Sequence, residues 1–139
     1  MSSELISSTC LAVATIYGEA SGEPYLGKLA VAEVILNRMR AKHQSDGTVA
    51  GTVLKPWQFS IWNTREPRRV KVCQLDYEDV VVRECAAAWL EARDKGSDVA
   101  QGALYYHSCD IRPPVWAKEM KLLAAVGRHL FYKPKPKAT

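Results

Sequence analysis

The chemistry in this chain concentrates on one carboxylate. Glu19 follows the apolar Ile16-Tyr17 and lies between Gly18 and Gly22, and a second carboxylate, Glu23, comes four residues later, just before Pro24. A helix that runs as far as Glu19 leaves the side chain at the negative end of the helix dipole, which disfavours the charged form. Partial burial acts in the same direction, so together they lift the carboxyl towards the pKa a general acid needs. Glu23 reads two ways: as a substrate or catalytic contact, or as a structural acceptor for loop amides and a neighbouring cation.

Other residues suit a groove for rings bearing hydroxyls and amides. Trp57, Phe59 and Trp62 alternate with Gln58, Ser60 and Asn63. Indoles offer flat apolar faces and amides pair with hydroxyls, as sugar binding requires. Gln58 and Trp62 are the groove candidates, and Phe59 is expected in the core. Tyr105, Tyr106 and His107 form a second set. Adjacent strand residues point to opposite faces, so one tyrosine hydroxyl is expected at the cleft and one ring in the core. His107 and His129 could both hydrogen-bond in the groove; His107 is taken as the site candidate.

The positioning elements follow from periodicity. Leu5, Ile6, Cys10, Val13, Ala14 and Tyr17 recur at helical spacing, with Ser2 or Ser3 as N-cap and Pro24 ending the run. A second helix, from Pro24 or Tyr25 to Ala41, is apolar around most of its circumference and reads as central. Glu33 interrupts it and is expected on an exposed strip with Lys28, Asn37 or Arg40. A short helix fits Thr48 to Leu54, and Thr64 to Leu75 is basic and irregular. Asp76 reads as the N-cap of a third long helix to about Asp94, its apolar face broken by Glu84. Gly102–Ser108 and Val126–Tyr132 have strand character, and Pro113-Pro114 with Trp116 reads as a loop over a cleft.

At 139 residues, 47% hydrophobic and 24% charged, the chain fits one globular domain over 1–132 with a basic tail, 133–139. No apolar run approaches the roughly 20 residues of a membrane helix, and residues 1–14 do not read as a secretory signal. Synthesis in a cytoplasm is therefore expected, with no stable membrane insertion. From Arg112 onward seven basic residues face one acid, Glu119, within a total charge of +4, so the first 111 residues are net −2. That end suits an anionic polymer. Cys10, Cys73, Cys85 and Cys109 lack metal-ligand spacing, so neither metal nor cofactor is expected; Cys10 and Cys85 fall on predicted core faces.

Several blocks, in order, resemble the cell-wall hydrolases of the spore cortex-lytic type, whose relatives occur in phage endolysins. They are Tyr17-Gly18-Glu19-Ala20-Ser21-Gly22-Glu23, then Val34-Ile35-Leu36-Asn37-Arg38, Trp57-Gln58-Phe59-Ser60, Gly102-Ala103-Leu104-Tyr105-Tyr106, and Gly127 to Tyr132. The resemblance covers roughly residues 10 to 132. It implies an α+β, mainly α, lysozyme-like fold with a small β element. It also implies cleavage of the N-acetylmuramic acid to N-acetylglucosamine bond of peptidoglycan glycan strands, with Glu19 as catalytic acid. A bare catalytic domain with a basic tail looks like a monomeric phage lysin that reaches the wall through a holin-type pore. With no evident nucleophile, a lytic transglycosylase route is favoured over hydrolysis.

Three rivals carry their own signatures. A non-catalytic peptidoglycan-binding module would keep the aromatics but has no need of a carboxylate between glycines. A nucleic-acid-binding domain would not place acids at the centre of its surface. A stem-peptide peptidase would need a zinc triad or a Cys/His pair.

Overall fold

The computed structural model describes residues 3–63, 66–69 and 74–136, with residues 3–7 described by their backbone alone. Among the described residues four α-helices, α1 (Ser3–Ala20), α2 (Tyr25–Ala41), α3 (Val49–Val53) and α4 (Val80–Leu90), precede three strands, β1 (Tyr105–Ser108), β2 (Met120–Val126) and β3 (His129–Pro134). The strands form an antiparallel sheet in the order β1-β3-β2. The fold is mainly helical with a small sheet, as the resemblance implied.

Helix α2 is the axle. Its residues from Gly27 to Leu36 are all buried, because it has neighbours on two sides. One face packs with Ile16, Phe59, Val82 and Trp89 of the helical half. The other places Ala30 and Val34 against Ala100, Ala103 and Phe131, which joins the sheet to the same core. Pro24 precedes its first turn with φ −62°, and Lys42 closes it in the left-handed region at φ 50°.

The polar residues of α2 depart from the expected exposed strip. Glu33 is buried and accepts from Ser97 Oγ at 2.7 Å, Val99 N–H at 3.0 Å and Ala100 N–H at 2.7 Å. Asn37 donates to the Ala103 carbonyl at 3.0 Å, and Arg38 Nε to that of Leu104 at 2.6 Å. Segment 97–104 has no ladder of its own, so these side chains satisfy its backbone groups. Lys28, also buried, binds the Glu23 carbonyl and lies 3.4 Å from Glu84, which explains the charge on the inner side of α4.

Other expectations shift by a few residues or reverse. The N-cap of α4 is Asp79, which accepts from Val81 and Val82, while Asp76 caps only the preceding turn through Glu78 N–H. Strand β2 was not foreseen: Leu122 to Val126 is rich in helix formers and carries a register irregularity between Leu122 and Ala124, so it shows no alternation. Strand β3 continues past residue 132, with Lys133 opposite Lys121 and Pro134 opposite Met120. Cys10 is exposed, against expectation, because it lies beside Tyr77 at the edge of the helical pack. Cys85 is buried, and burial pushes its thiol up to about 12. The Ser2/Ser3 cap, the Leu5 and Ile6 side chains, Cys73 and half of the 64–75 segment lie outside the described residues.

Gly18 is a close approach between α1 and the turn Ser60–Trp62. A Cβ there would lie 2.2 Å from Ile61 Cγ1, so Ile61 would have to move together with the turn Ser60–Trp62. Gly18→Ala should cost about 1–3 kcal/mol by overpacking, visible as a lowered denaturation midpoint, and should impair whatever Ser60 does at Glu19. An unchanged midpoint would mean that the turn is free to shift.

Candidate active site

Glu19 occupies the last turn of α1, one residue beyond Gly18, at a cleft of about 770 Å³. The cleft wall opposite comes from β1, the β1–β2 connection and the β2–β3 connection. Ser60 Oγ donates to Glu19 Oε2 at 3.3 Å, and the Ser60 amide also reaches the carboxylate. Arg68 donates to the Gly18 carbonyl at 3.3 Å and is itself held by Glu66 at 2.7 Å. Burial lifts the Glu19 carboxyl from 4.5 to about 7, against the opposing pull of Ser60 and the Arg68 charge. A group so placed still carries its proton in a large share of molecules at neutral pH and can give it to a basic leaving oxygen.

Tyr105 and Tyr106 both line the cleft, with different partners. Tyr106 packs its ring on Phe131 at 5.5 Å and on His129 at 5.1 Å, with Glu19 near its hydroxyl. Burial, reinforced by the neighbouring carboxylate, keeps that phenol protonated well above its ordinary range. Tyr105 pairs its hydroxyl with His43 Nε2 at 2.5 Å and lies under the Arg38 guanidinium at 5.3 Å. Arg38 also covers Phe59 at 5.0 Å and donates to Gln58 Oε1 at 3.2 Å, which fixes the amide at the cleft wall. Phe59 itself is buried.

The remaining candidates divide. Glu23 lines the cleft, yet its carboxylate accepts the Arg128 N–H at 2.7 Å and lies 3.6 Å from Arg128 Nε and 3.5 Å from His129 Nδ1. It ties the α1–α2 turn to the β2–β3 connection. Gly127, at φ +57°, makes room for it: a Cβ there would sit 2.8 Å from Glu23 Oε1. His107 lines the cleft with both nitrogens engaged, Nδ1 donating to the Ser108 carbonyl at 2.9 Å and Nε2 paired with Tyr132 Oη at 2.8 Å.

Trp62 is not brought to the cleft. Its indole packs on the core and donates to Thr15 Oγ1 at 2.9 Å, because the 3₁₀ turn it ends points inward. The exposed indole is Trp57, 83% accessible, at φ 68° on the cleft rim. Trp116 lines the opposite wall, 5.4 Å from Tyr105. Sequence reasoning also passed over Ser60 and Arg68. Ser60 stands inside the Gln58-Phe59-Ser60 block, while Arg68 had no signal beyond a basic neighbourhood. Among the described residues no group of three His, Cys, Asp or Glu could hold a metal ion.

Comparison with known proteins agrees with this architecture. Residues 22–132 match the cell wall hydrolase family. The chain is 33% identical over 128 residues to the spore cortex-lytic enzyme of Oceanobacillus iheyensis, an alignment that covers 85% of this chain and 38% of that one. This chain thus spans well under half the length of that relative. Among solved structures it is similar to the catalytic domain of the germination-specific lytic transglycosylase SleB from Bacillus anthracis, with 28% identity, a TM-score of 0.70 and coverage of 96% and 97% of the two chains. The catalytic domain of the Bacillus cereus SleB protein gives 29%, 0.71, and 92% and 91%. Glu19 lies three residues before the stretch matched to the family, so its role is argued from its surroundings. The chain belongs to the cell wall hydrolase family and has the fold of the catalytic domain of its spore cortex-lytic members.

Proposed function

We propose that this protein cleaves the β-1,4 bond between N-acetylmuramic acid and N-acetylglucosamine in peptidoglycan, with Glu19 as general acid. The observation that carries the reading is a carboxyl held at a pKa of about 7 in an open cleft. Its proton goes to the glycosidic oxygen as the bond to the anomeric carbon lengthens, a role needed by either outcome of the reaction. Gln58, Tyr105, Tyr106 and the two cleft tryptophans are the residues we assign to the glycan, the aromatics by stacking and the amide by hydrogen bonding.

The favoured route is lytic transglycosylation, in which the muramic C6 hydroxyl attacks its own anomeric carbon, gives its proton to the Glu19 carboxylate now acting as base, and leaves a 1,6-anhydromuramic end. Two features support it: the likeness to the catalytic domain of the Bacillus anthracis lytic transglycosylase, and Glu23, whose carboxylate is already engaged by Arg128. Hydrolysis is the second reading. A monomeric phage lysin is the narrower biological role. Its support is the excess of positive charge after Arg112, which suits an anionic wall polymer, whereas the relatives named above are spore cortex-lytic enzymes. No helix among the described residues is long and apolar enough to cross a membrane, and the site of action we propose is the cell wall.

Mass spectrometry of purified vegetative and cortex peptidoglycan after digestion tests this. Anhydromuramic ends are expected. Reducing muramic ends would replace transglycosylation with hydrolysis, and binding without any cleavage would leave a non-catalytic wall-binding module.

A further inference from the structure

Gln58 and Ser60 stand on the same side of the chain. Phe59 between them is extended, with φ −126° and ψ 112°, and its ring is buried. Alternate residues of an extended stretch share a face, so Phe59 turns to the core and its two neighbours turn to the cleft that they line. Ser60 donates to the Glu19 carboxyl. Two residues of extended chain span about 7 Å, so the Gln58 amide works within about one sugar ring of the acid.

Arg38 decides which end of that amide faces a ligand. Its guanidinium is buried, lines the cleft, and donates from Nη1 to Gln58 Oε1 at 3.2 Å. A guanidinium has donors and no acceptor, so the amide cannot turn its nitrogen to it. Arg38 is itself held by the Leu104 carbonyl, 2.6 Å from Nε, and by the rings of Phe59 and Tyr105 at 5.0 and 5.3 Å. With Oε1 committed, the Nε2 amino group is what Gln58 has left to offer. Among the described residues Nε2 has no hydrogen-bond partner, and the buried side-chain atoms without one are Trp89 Nε1 and His129 Nδ1. The Gln58 nitrogen is therefore accessible, on a residue of the cleft wall.

The charge behind it acts in the same direction. Among the described residues no carboxylate forms an ion pair with Arg38. The acid whose charge reaches it is Glu19, which is neutral in its proton-donating form. A buried cation without a paired acid favours acceptor groups in front of it and disfavours cations. On a peptidoglycan strand the 2-acetamido carbonyl is the best neutral acceptor, and it is attached next to the anomeric carbon. Removal of the acetyl group leaves an ammonium, which has donors only and the same charge as Arg38.

We propose that Arg38 is a positioning residue that locks the Gln58 amide with its NH₂ towards the cleft, and that this pair makes the site selective for N-acetylated glycan. The proposal rests on the glycan-cleavage reading above and names the group on the sugar that the cleft demands. The acetamide carbonyl accepts from Gln58 Nε2. A glucosaminium ring meets a donor backed by a fixed cation and is rejected.

The test compares kcat/KM on purified glycan strands that are N-acetylated, enzymatically de-N-acetylated, or de-N-acetylated and then re-acetylated with acetic anhydride. The last form separates the acetyl group from damage to the strand. Wild type should favour both acetylated forms by about 10²-fold. Gln58→Glu can still accept from Arg38 but turns only oxygen to the cleft, so its preference should fall to within about threefold. Any effect of that substitution on Glu19 applies to every strand and cancels in the ratio. Arg38→Met frees the amide to turn, so the preference should fall likewise, whereas a merely structural role would lower all rates and leave the ratio intact. Equal cleavage of the three forms by wild type would overturn the proposal, as would an undiminished preference in either variant. Gln58 is half-buried, and its variant reads out the proposal even if Arg38→Met does not fold. A wild type that cleaves no strand would remove the functional reading. Co-sedimentation with the three forms then tests the inference by itself, and equal binding would sink it.

Discussion

Glu19→Gln should lower the rate of glycan cleavage by roughly 10² to 10⁴-fold, the usual worth of a positioned proton donor, while binding to the wall changes little. Glutamine keeps the shape and can still accept from Ser60 Oγ, but it has no proton to give. The same substitution should change stability in a pH-dependent way. The folded carboxyl titrates at about 7 against an ordinary 4.5, so the folded state binds its proton more tightly than the unfolded chain does. Stability linked to that group is fully present below about 4.5 and is lost as the pH rises through about 7. Glutamine cannot ionise, so the variant should melt above wild type at pH 8 and show no such gain at pH 4.5. Thermal denaturation at the two pH values checks it. A variant that gains equally at both would place the effect in packing rather than in desolvation of the carboxylate.

Glu33→Ala should be the most damaging single change in the scaffold. It strips one acceptor pair from Ser97 Oγ and the amides of Val99 and Ala100, in a place where water does not reach Ala100. Leaving those donors unmade costs about 3 kcal/mol, or roughly a 10 °C fall in melting temperature for a chain of this size. Segment 97–104 leads directly into β1, so the loss should loosen Tyr105 and Tyr106 and weaken glycan cleavage even below the new midpoint. Arg40→Ala, at the exposed end of the same helix, is the natural control. Equal midpoints for the two variants would show that the loop amides find other partners.

The backbone of this site was readable because each of its breaks has a local cause. Gly18, Gly22 and Pro24 mark where α1 stops and α2 starts, so local sequence alone places Glu19 at a helix end. Helix α2 was recognisable as central from its apolar circumference. What escaped was everything decided by neighbours distant in sequence. Glu33 looks like a surface residue in its own helix and becomes a loop anchor only because residues 97–100 fold against it. Trp57 and Trp62 are equivalent in a local reading, and an inward 3₁₀ turn separates them. His107 and His129 differ only through the pairing of Ser108 with His129, which one sequence does not disclose. Strand β2 exists because β3 pairs with it, against the helical preference of its own residues.

The most direct test of the central claim is a carbon-13 titration of the Glu19 side-chain carboxyl, followed by NMR in the wild-type protein and compared with the pH dependence of glycan cleavage. A midpoint near 7, coincident with the alkaline fall in rate, is the predicted result. A midpoint near 4.5 with activity undiminished to pH 9 would mean that Glu19 is ionised when the enzyme works, and the assignment of the acid would be wrong.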